Sequence, residues 1–265
     1  MSLSDQSSPK HDPLLELRAV DVPSLRYPGS PQIQGVQWQL HSRDFWVIGG
    51  LLSSGKTNFL TTAAGALAPL RGEVRLFGRV LHQNQVETDL PDRLRIGLVH
   101  DGGLLLRHLN VADNISLPLR YHHNATDQDV AKRLSAWLKA MELNDWATEF
   151  SGNISRNWAQ RAGLARACIL EPEILLLDSP LSGLDPQHAR WWLQTVAELA
   201  EGHPLISYRP MTTVVTCDDF RPWIAPGRNY AVLREGQLEI LDPGLAADQI
   251  INTLATPSSP QADPR

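Results

Sequence analysis

From Leu14 to about Arg79, apolar and polar residues alternate in short runs broken by turn formers, a pattern that predicts strands. Leu15-Glu16-Leu17-Arg18-Ala19-Val20 alternates, whereas Phe45-Trp46-Val47-Ile48 is apolar throughout and reads as a strand covered on both faces. That second run ends in Gly49-Gly50. Beyond Lys56, only Gly65 interrupts Thr57 to Ala68, so a helix is predicted there before Pro69. A further short strand, Gly72 to Gly78, is bracketed by glycines.

The middle of the chain changes period. Val130, Leu134, Trp137, Leu138 and Met141 recur at steps of three and four, which predicts a helical insert over about 111–158. A second helical stretch, Ala159 to Leu170, leads through Glu171-Pro172-Glu173 into the apolar strand Ile174 to Leu177. Thr213-Val214-Val215-Thr216 and Tyr230-Ala231-Val232-Leu233 are β-branched or aromatic and read as strands. Strands alternating with helices imply an α/β fold with a mostly parallel sheet.

Composition narrows the class. The 265 residues are 42% hydrophobic and 20% charged, which fits one large folded unit and excludes disordered and fibrous classes. A formal net charge of −5 argues against a general nucleic-acid binder, so no nucleic-acid partner is expected. Two cysteines, Cys168 and Cys217, build neither a disulfide framework nor a zinc site, and a reducing cytoplasm fits. The histidines, His82 and the His122-His123 pair among them, lack metal-ligand spacing and read as surface or loop residues. No apolar run reaches the ~18 residues of a membrane span, and the first residues carry no secretory pattern. Membrane contact is therefore expected only through a partner, with tails at 1–13 and 252–265 flanking a folded domain at 14–251.

Gly50-Leu51-Leu52-Ser53-Ser54-Gly55-Lys56-Thr57 satisfies G-x-x-x-x-G-K-[ST] between a predicted strand and a predicted helix. In that setting, backbone N–H groups and the positive end of the helix surround phosphate oxygens. Lys56 would neutralise the β and γ phosphates, Gly55 would allow close backbone approach, and Thr57 would offer its hydroxyl to Mg²⁺. The strand Ile174 to Leu177 ends in Asp178, a carboxylate placed to serve the same metal ion.

Taken in order, these segments resemble the ATP-binding subunits of ABC transporters from Leu14 to about Ile251. Leu25-Arg26-Tyr27-Pro28-Gly29 resembles the family's aromatic loop, which implies stacking of Tyr27 on adenine; the same residues also suit a Tyr-Pro turn. Pro69 to Gly78 matches the segment after the phosphate-loop helix. Ile96 to Asp101 and Leu109 to Ile115 are similar to the Q-loop region that faces the transport domains, Leu181-Ser182-Gly183-Leu184-Asp185-Pro186 to the D-loop, and Arg234 to Gln237 to a late strand-turn. The resemblance implies a P-loop ATPase fold with an antiparallel β subdomain and a helical insert. It places Gly50 to Asn58 and Asp101 on the nucleotide, and Thr57 and Asp178 on the metal. A narrower resemblance, to mammalian-cell-entry-type lipid transport ATPases, rests on Gly97 to Asp101 and Asn114 to Arg120. The paired Trp191-Trp192 read as core plus interface rim or as a contact with a partner subunit, and Trp158 as buried against the insert.

The departures from the family pattern concern turnover. Ser179 stands where the family has the glutamate that polarises attacking water, and Cys217 where it has a histidine. Asp101 replaces the Q-loop glutamine and Ser53 a loop glycine. The signature aligns with Ile154-Ser155-Arg156-Asn157-Trp158, where only Ser155 matches; it would donate in trans to the nucleotide of a facing subunit. A missing general base removes ~10²- to 10⁴-fold in rate, about 3 to 5 kcal/mol of barrier. The expectation is an ATP-binding subunit, using ATP and Mg²⁺ with weak or absent hydrolysis. Its expected partners are an integral membrane permease subunit and a second ATP-binding subunit, the same or different. The alternatives are a soluble regulatory or scaffolding pseudo-ATPase of the same fold, and an active ATPase using replacement groups.

Overall fold

The computed structural model describes residues 12–82, 86–122 and 125–255. Strands β1 (Leu15–Pro23), β2 (Pro31–Leu40), β4 (Arg71–Leu76) and β5 (Arg79–Val80) form an antiparallel sheet in the order β2-β1-β4-β5. The main sheet has six strands in the order β10-β9-β3-β8-β7-β6. Here β3 (Phe45–Gly50), β6 (Ile96–Val99), β7 (Ile174–Leu177), β8 (Thr212–Cys217) and β9 (Asn229–Arg234) run parallel, and β10 (Gln237–Ile240) closes one edge as an antiparallel hairpin strand.

Alternation along these strands feeds two cores. Val47, Leu175, Leu177, Val215 and Val232 point to one face, and Trp46, Ile48, Ile174, Leu176, Val214 and Ala231 to the other. The first face is covered by α3 (Val111–His122), α4 (Asp127–Ala140), α5 (Arg156–Cys168) and α6 (Pro186–Glu201). The second packs against α1 (Lys56–Ala63) and the antiparallel sheet. Burial on both faces explains why the main strands are continuous apolar runs. A buried cation joins the helices: Arg161 lies 3.8 Å from the Trp191 ring centroid and 4.7 Å from that of Trp158, and donates to Glu142 and His188. Trp192 is fully buried and Trp191 and Trp158 partly so.

Several boundaries differ from the sequence reading. Helix α1 ends at Ala63, five residues short of Ala68, because Gly65 turns the chain with φ +71°. Helix α5 begins at Arg156, not Ala159; the backbone is extended at Ser155 and turns helical directly after it. The strand expected to run to Gly78 stops at Leu76; Phe77 and Gly78 both have positive φ and make the tight turn into β5. Helix α2 (Val86–Arg93) carries an internal proline, Pro91, and was not expected. Helix α7 (Ala247–Ala255) overturns a tail starting at 252: Ile250 is buried, and Ile251 and Leu254 pack beside it. The rest of that segment, most of the amino-terminal one and His123 lie outside the described residues.

Candidate nucleotide-binding site

Strand β3 lies between β8 and β9, with Gly49 opposite Cys217 and Gly50 opposite Leu233, so the chain leaves the sheet at the carboxyl ends of its parallel neighbours. The loop then curls into α1. Gly55 caps that helix with φ +99°, and a Cβ there would stand 3.1 Å from the Gln32 side chain. Ser53, where glycine would be unstrained, also has positive φ, +66°. Gln32 on β2 stabilises that turn by donating to the Ser53 carbonyl at 2.9 Å. Its own amide oxygen accepts from Asn58 Nδ2 at 2.6 Å, and the same nitrogen reaches the Pro23 carbonyl at 3.0 Å. Asn58 thus anchors the loop to the antiparallel sheet.

Lys56 folds over the loop, donating to the carbonyls of Gly50 at 2.5 Å and Leu51 at 3.1 Å. Burial lowers its pKa, opposed by the charges of Asp218 and Asp178. Ser54 Oγ is buried without a hydrogen-bond partner among the described residues. Thr57 Oγ1 lies 2.7 Å from Asp178 Oδ2, although β8 separates β7 from β3. Thr216 on β8 bridges the gap: it donates to Asp178 Oδ1 at 3.0 Å and accepts the Ser179 N–H at 3.0 Å. The carboxylate is held from both sides.

A cavity of about 330 Å³ is lined by Leu52 to Asn58, Asp101, Asp178 and Ser179, joined by Gln32, Ser182 and Asp218, which sequence reasoning missed. A larger cleft of about 480 Å³ adjoins it, walled by Ser179, Cys217, Pro186 and Trp223, but the phosphate loop belongs to the smaller one. Gly50 lies in the buried strand end and Leu51 is exposed beside it, both outside the lining. Tyr27 is 60% exposed, also outside the lining, with its N–H on Ser24 Oγ. Ser155 is exposed, makes no side-chain cap bond, and lies outside its own chain's cavity.

The substituted positions are equally well defined. Ser179 has positive φ, +47°, directly after Asp178. Cys217 is buried and its thiol is pushed up to about 12 by that burial, so it cannot accept a proton near neutral pH. Arg156 donates from Nη2 to Asp101 Oδ1, and Gln160 Nε2 approaches the same oxygen at 3.4 Å. The loop after Asp101 is held on α5 by Arg166, which donates to the carbonyls of Gly103 and Leu104, both at 2.9 Å. Gly103, with φ +79°, touches the backbone of Ala159 too closely for any side chain.

A parallel strand, phosphate loop and helix, with a carboxylate on another strand end touching the loop threonine, define a P-loop nucleotide-binding protein. Residues 33–182 match the ABC transporter family model, and the chain belongs to that family, as an ATP-binding subunit. It is 29% identical over 252 residues to the sulfate/thiosulfate import ATP-binding protein CysA of Mesorhizobium japonicum, covering 93% of this chain and 67% of that one. The Fe(3+) ions import ATP-binding protein FbpC of Pseudomonas fluorescens is 32% identical over 225 residues, covering 84% and 60%. The probable ribonucleotide transport ATP-binding protein mkl of Mycobacterium leprae is 30% identical over 172 residues, covering 64% and 50%. The chain thus spans about half to two thirds of these relatives. Among solved structures, a dimeric post-hydrolysis ATP-binding cassette bound to ADP and Pi superposes with a TM-score of 0.74 at 24% identity, covering 86% of this chain and 99% of that one. An ATP-binding subunit of an ABC transporter superposes with a TM-score of 0.73 at 18% identity, covering 92% and 100%. Both share the fold.

Proposed function

We propose that this chain is the ATP-binding subunit of an ABC-type membrane transport complex, binding Mg-ATP with hydrolysis that is slow or absent. The observation that carries the reading is the Thr57–Asp178 contact of 2.7 Å beside Lys56 and the loop. Two hard oxygen donors suit Mg²⁺, and the unpartnered Ser54 hydroxyl and the close-approach glycine suit a polyphosphate. When bound, Mg²⁺ would neutralise phosphate charge. Lys56 would turn from the loop carbonyls to phosphate oxygens, Thr216 would keep Asp178 oriented, and Tyr27 would offer a ring face to the base. Neither Ser179 nor the neutral Cys217 takes a proton from water, which supports slow turnover.

The partners in this reading are a membrane permease subunit and a second ATP-binding subunit, to which Ser155 would donate in trans. Among the described residues no helix is long and apolar enough to cross a membrane, and Leu104, Leu106 and Phe150 are exposed large apolar side chains in and near the Q-loop region. The protein would then sit in the cytoplasm, peripheral to the inner membrane through its partners. Its relatives' names cover sulfate, ferric ion and ribonucleotides, so no substrate follows. The active-ATPase reading stays second on one observation: Asp218 is an exposed carboxylate lining the same cavity.

Calorimetry with ATP and Mg²⁺ tests the proposal. Lys56→Ala is expected to weaken binding tenfold or more, about 1.4 kcal/mol. Equal binding by wild type and variant would overturn the phosphate-loop assignment.

A further inference from the structure

Asp101 is one of three carboxylates, with Asp178 and Asp218, on the wall of the cavity, and among the described lining residues Lys56 is the only cation. Under the proposed function that cavity receives a polyphosphate, so an uncompensated Asp101 would repel the ligand. Arg156 supplies the compensation from outside the lining. It is the first residue of α5, and its guanidinium reaches back to Asp101 Oδ1. Two glycines flank its path: a Cβ on Gly102 would stand 3.3 Å from Arg156 Nη1, and one on Gly183 3.9 Å from Nε. Gln160, one turn further along α5, approaches the same Asp101 oxygen.

Both partners are close to half exposed, 46% for Arg156 and 42% for Asp101, and ion pairs of that kind add little to folding stability. Their position matters more than their strength. The pair joins the start of α5 to the cavity wall, and it turns the guanidinium onto its own chain. We infer that Arg156 is a positioning residue for nucleotide in its own subunit. Acting through Asp101, it cancels and aims that carboxylate so that the cavity accepts a polyphosphate anion even without a divalent cation. This rests on the nucleotide reading of the cavity and assigns Arg156 a role in cis that the signature alignment did not suggest.

The readout is the metal dependence of ATP affinity, measured by calorimetry on the full chain in EDTA and in Mg²⁺. Arg156→Ala is expected to weaken binding about three- to tenfold in EDTA and less in Mg²⁺, because the metal ion takes over the neutralisation. Asp101→Asn placed in the Arg156→Ala background should restore affinity in EDTA to about wild type, and Arg156→Lys should retain most of it, as the charge is kept. A structural role for Arg156 would instead leave the double variant as weak as the single one, and that result overturns the inference. Wild-type affinity for Arg156→Ala in EDTA also overturns it. Should Arg156→Ala fail to fold, Asp101→Asn alone decides: affinity in EDTA at or above wild type supports the role, and a loss sinks it. Lys56→Ala is the control. If it binds as wild type does, the nucleotide reading itself has failed; if it binds weakly while Arg156→Ala does not, only the Arg156 assignment falls.

Discussion

The phosphate loop and the neighbouring strand ends β7 and β8 have been treated differently in this molecule. From Gly50 to Thr57 stand the groups that would hold a phosphate under the proposed function, and even the strained Ser53 is supported, by Gln32. At Ser179 and Cys217, on the ends of the next two strands of the sheet, neither side chain can accept a proton near pH 7. Binding needs backbone N–H groups, a cation and a fixed carboxylate; turnover needs, in addition, a base aimed at water. The two sets meet on the same strand ends, Asp178 beside Ser179 and Thr216 beside Cys217, so substitution of one residue can remove a base without displacing the carboxylate next to it. The carboxylate clamped by Thr57 and Thr216 belongs to the surviving set.

The largest expected effect concerns turnover. Steady-state ATPase assays should find the protein ~10²-fold or more below the ~10 s⁻¹ common among enzymes, with Ser179→Glu alone recovering little, because the altered groups act as a unit. Turnover near ~10 s⁻¹ would erase the contrast between the two regions and promote Asp218 as a replacement group. A smaller effect is expected in self-association. With Arg156 engaged on Asp101, in a segment where only Ser155 keeps the signature, light scattering with Mg-ATP should detect little homodimer. Closure would then depend on partners that raise the effective concentration of the two halves. A stable ATP-dependent homodimer abolished by Ser155→Ala would show that the substituted segment still closes. The smallest effect sharpens the binding side: Thr216→Val should weaken Mg-ATP binding by about 1 kcal/mol, the worth of one hydrogen bond to a carboxylate-bearing site. No change would mean that Thr57 alone positions Asp178.

The sheet was readable from the chain because the main strands are buried on both faces and therefore stand out as apolar runs, as Ile174–Leu177 does. The phosphate loop was readable because its spacing is local. What stayed hidden is non-local. Nothing adjacent to Gln32 announces that it braces Ser53 21 positions away, or that Thr216 orients Asp178 from 38 away. Asp218 directly follows Cys217, and its exposed side chain enters the cavity only because β8 ends there. Arg156 was legible as a substitution but not as a partner for Asp101, 55 positions earlier, since that pairing depends on how α5 lies over β6. The early end of α1 and the persistence of α7 past residue 252 have local causes, a left-handed glycine and an apolar face, that composition alone underweights.

The brace from Gln32 and Asn58 has a consequence for local unfolding. The loop's Ser53 carbonyl and the first turn of α1 hang on β2 and on the end of β1, so opening the loop breaks its hydrogen bonds to the antiparallel sheet. The two are therefore expected to open together, and free energy gained when a ligand seats on the loop would be shared with the length of β2 beyond Gln32. Nucleotide occupancy would be recorded as slower amide exchange along Pro31–Leu40, a strand of the other sheet from the one that carries the substituted positions.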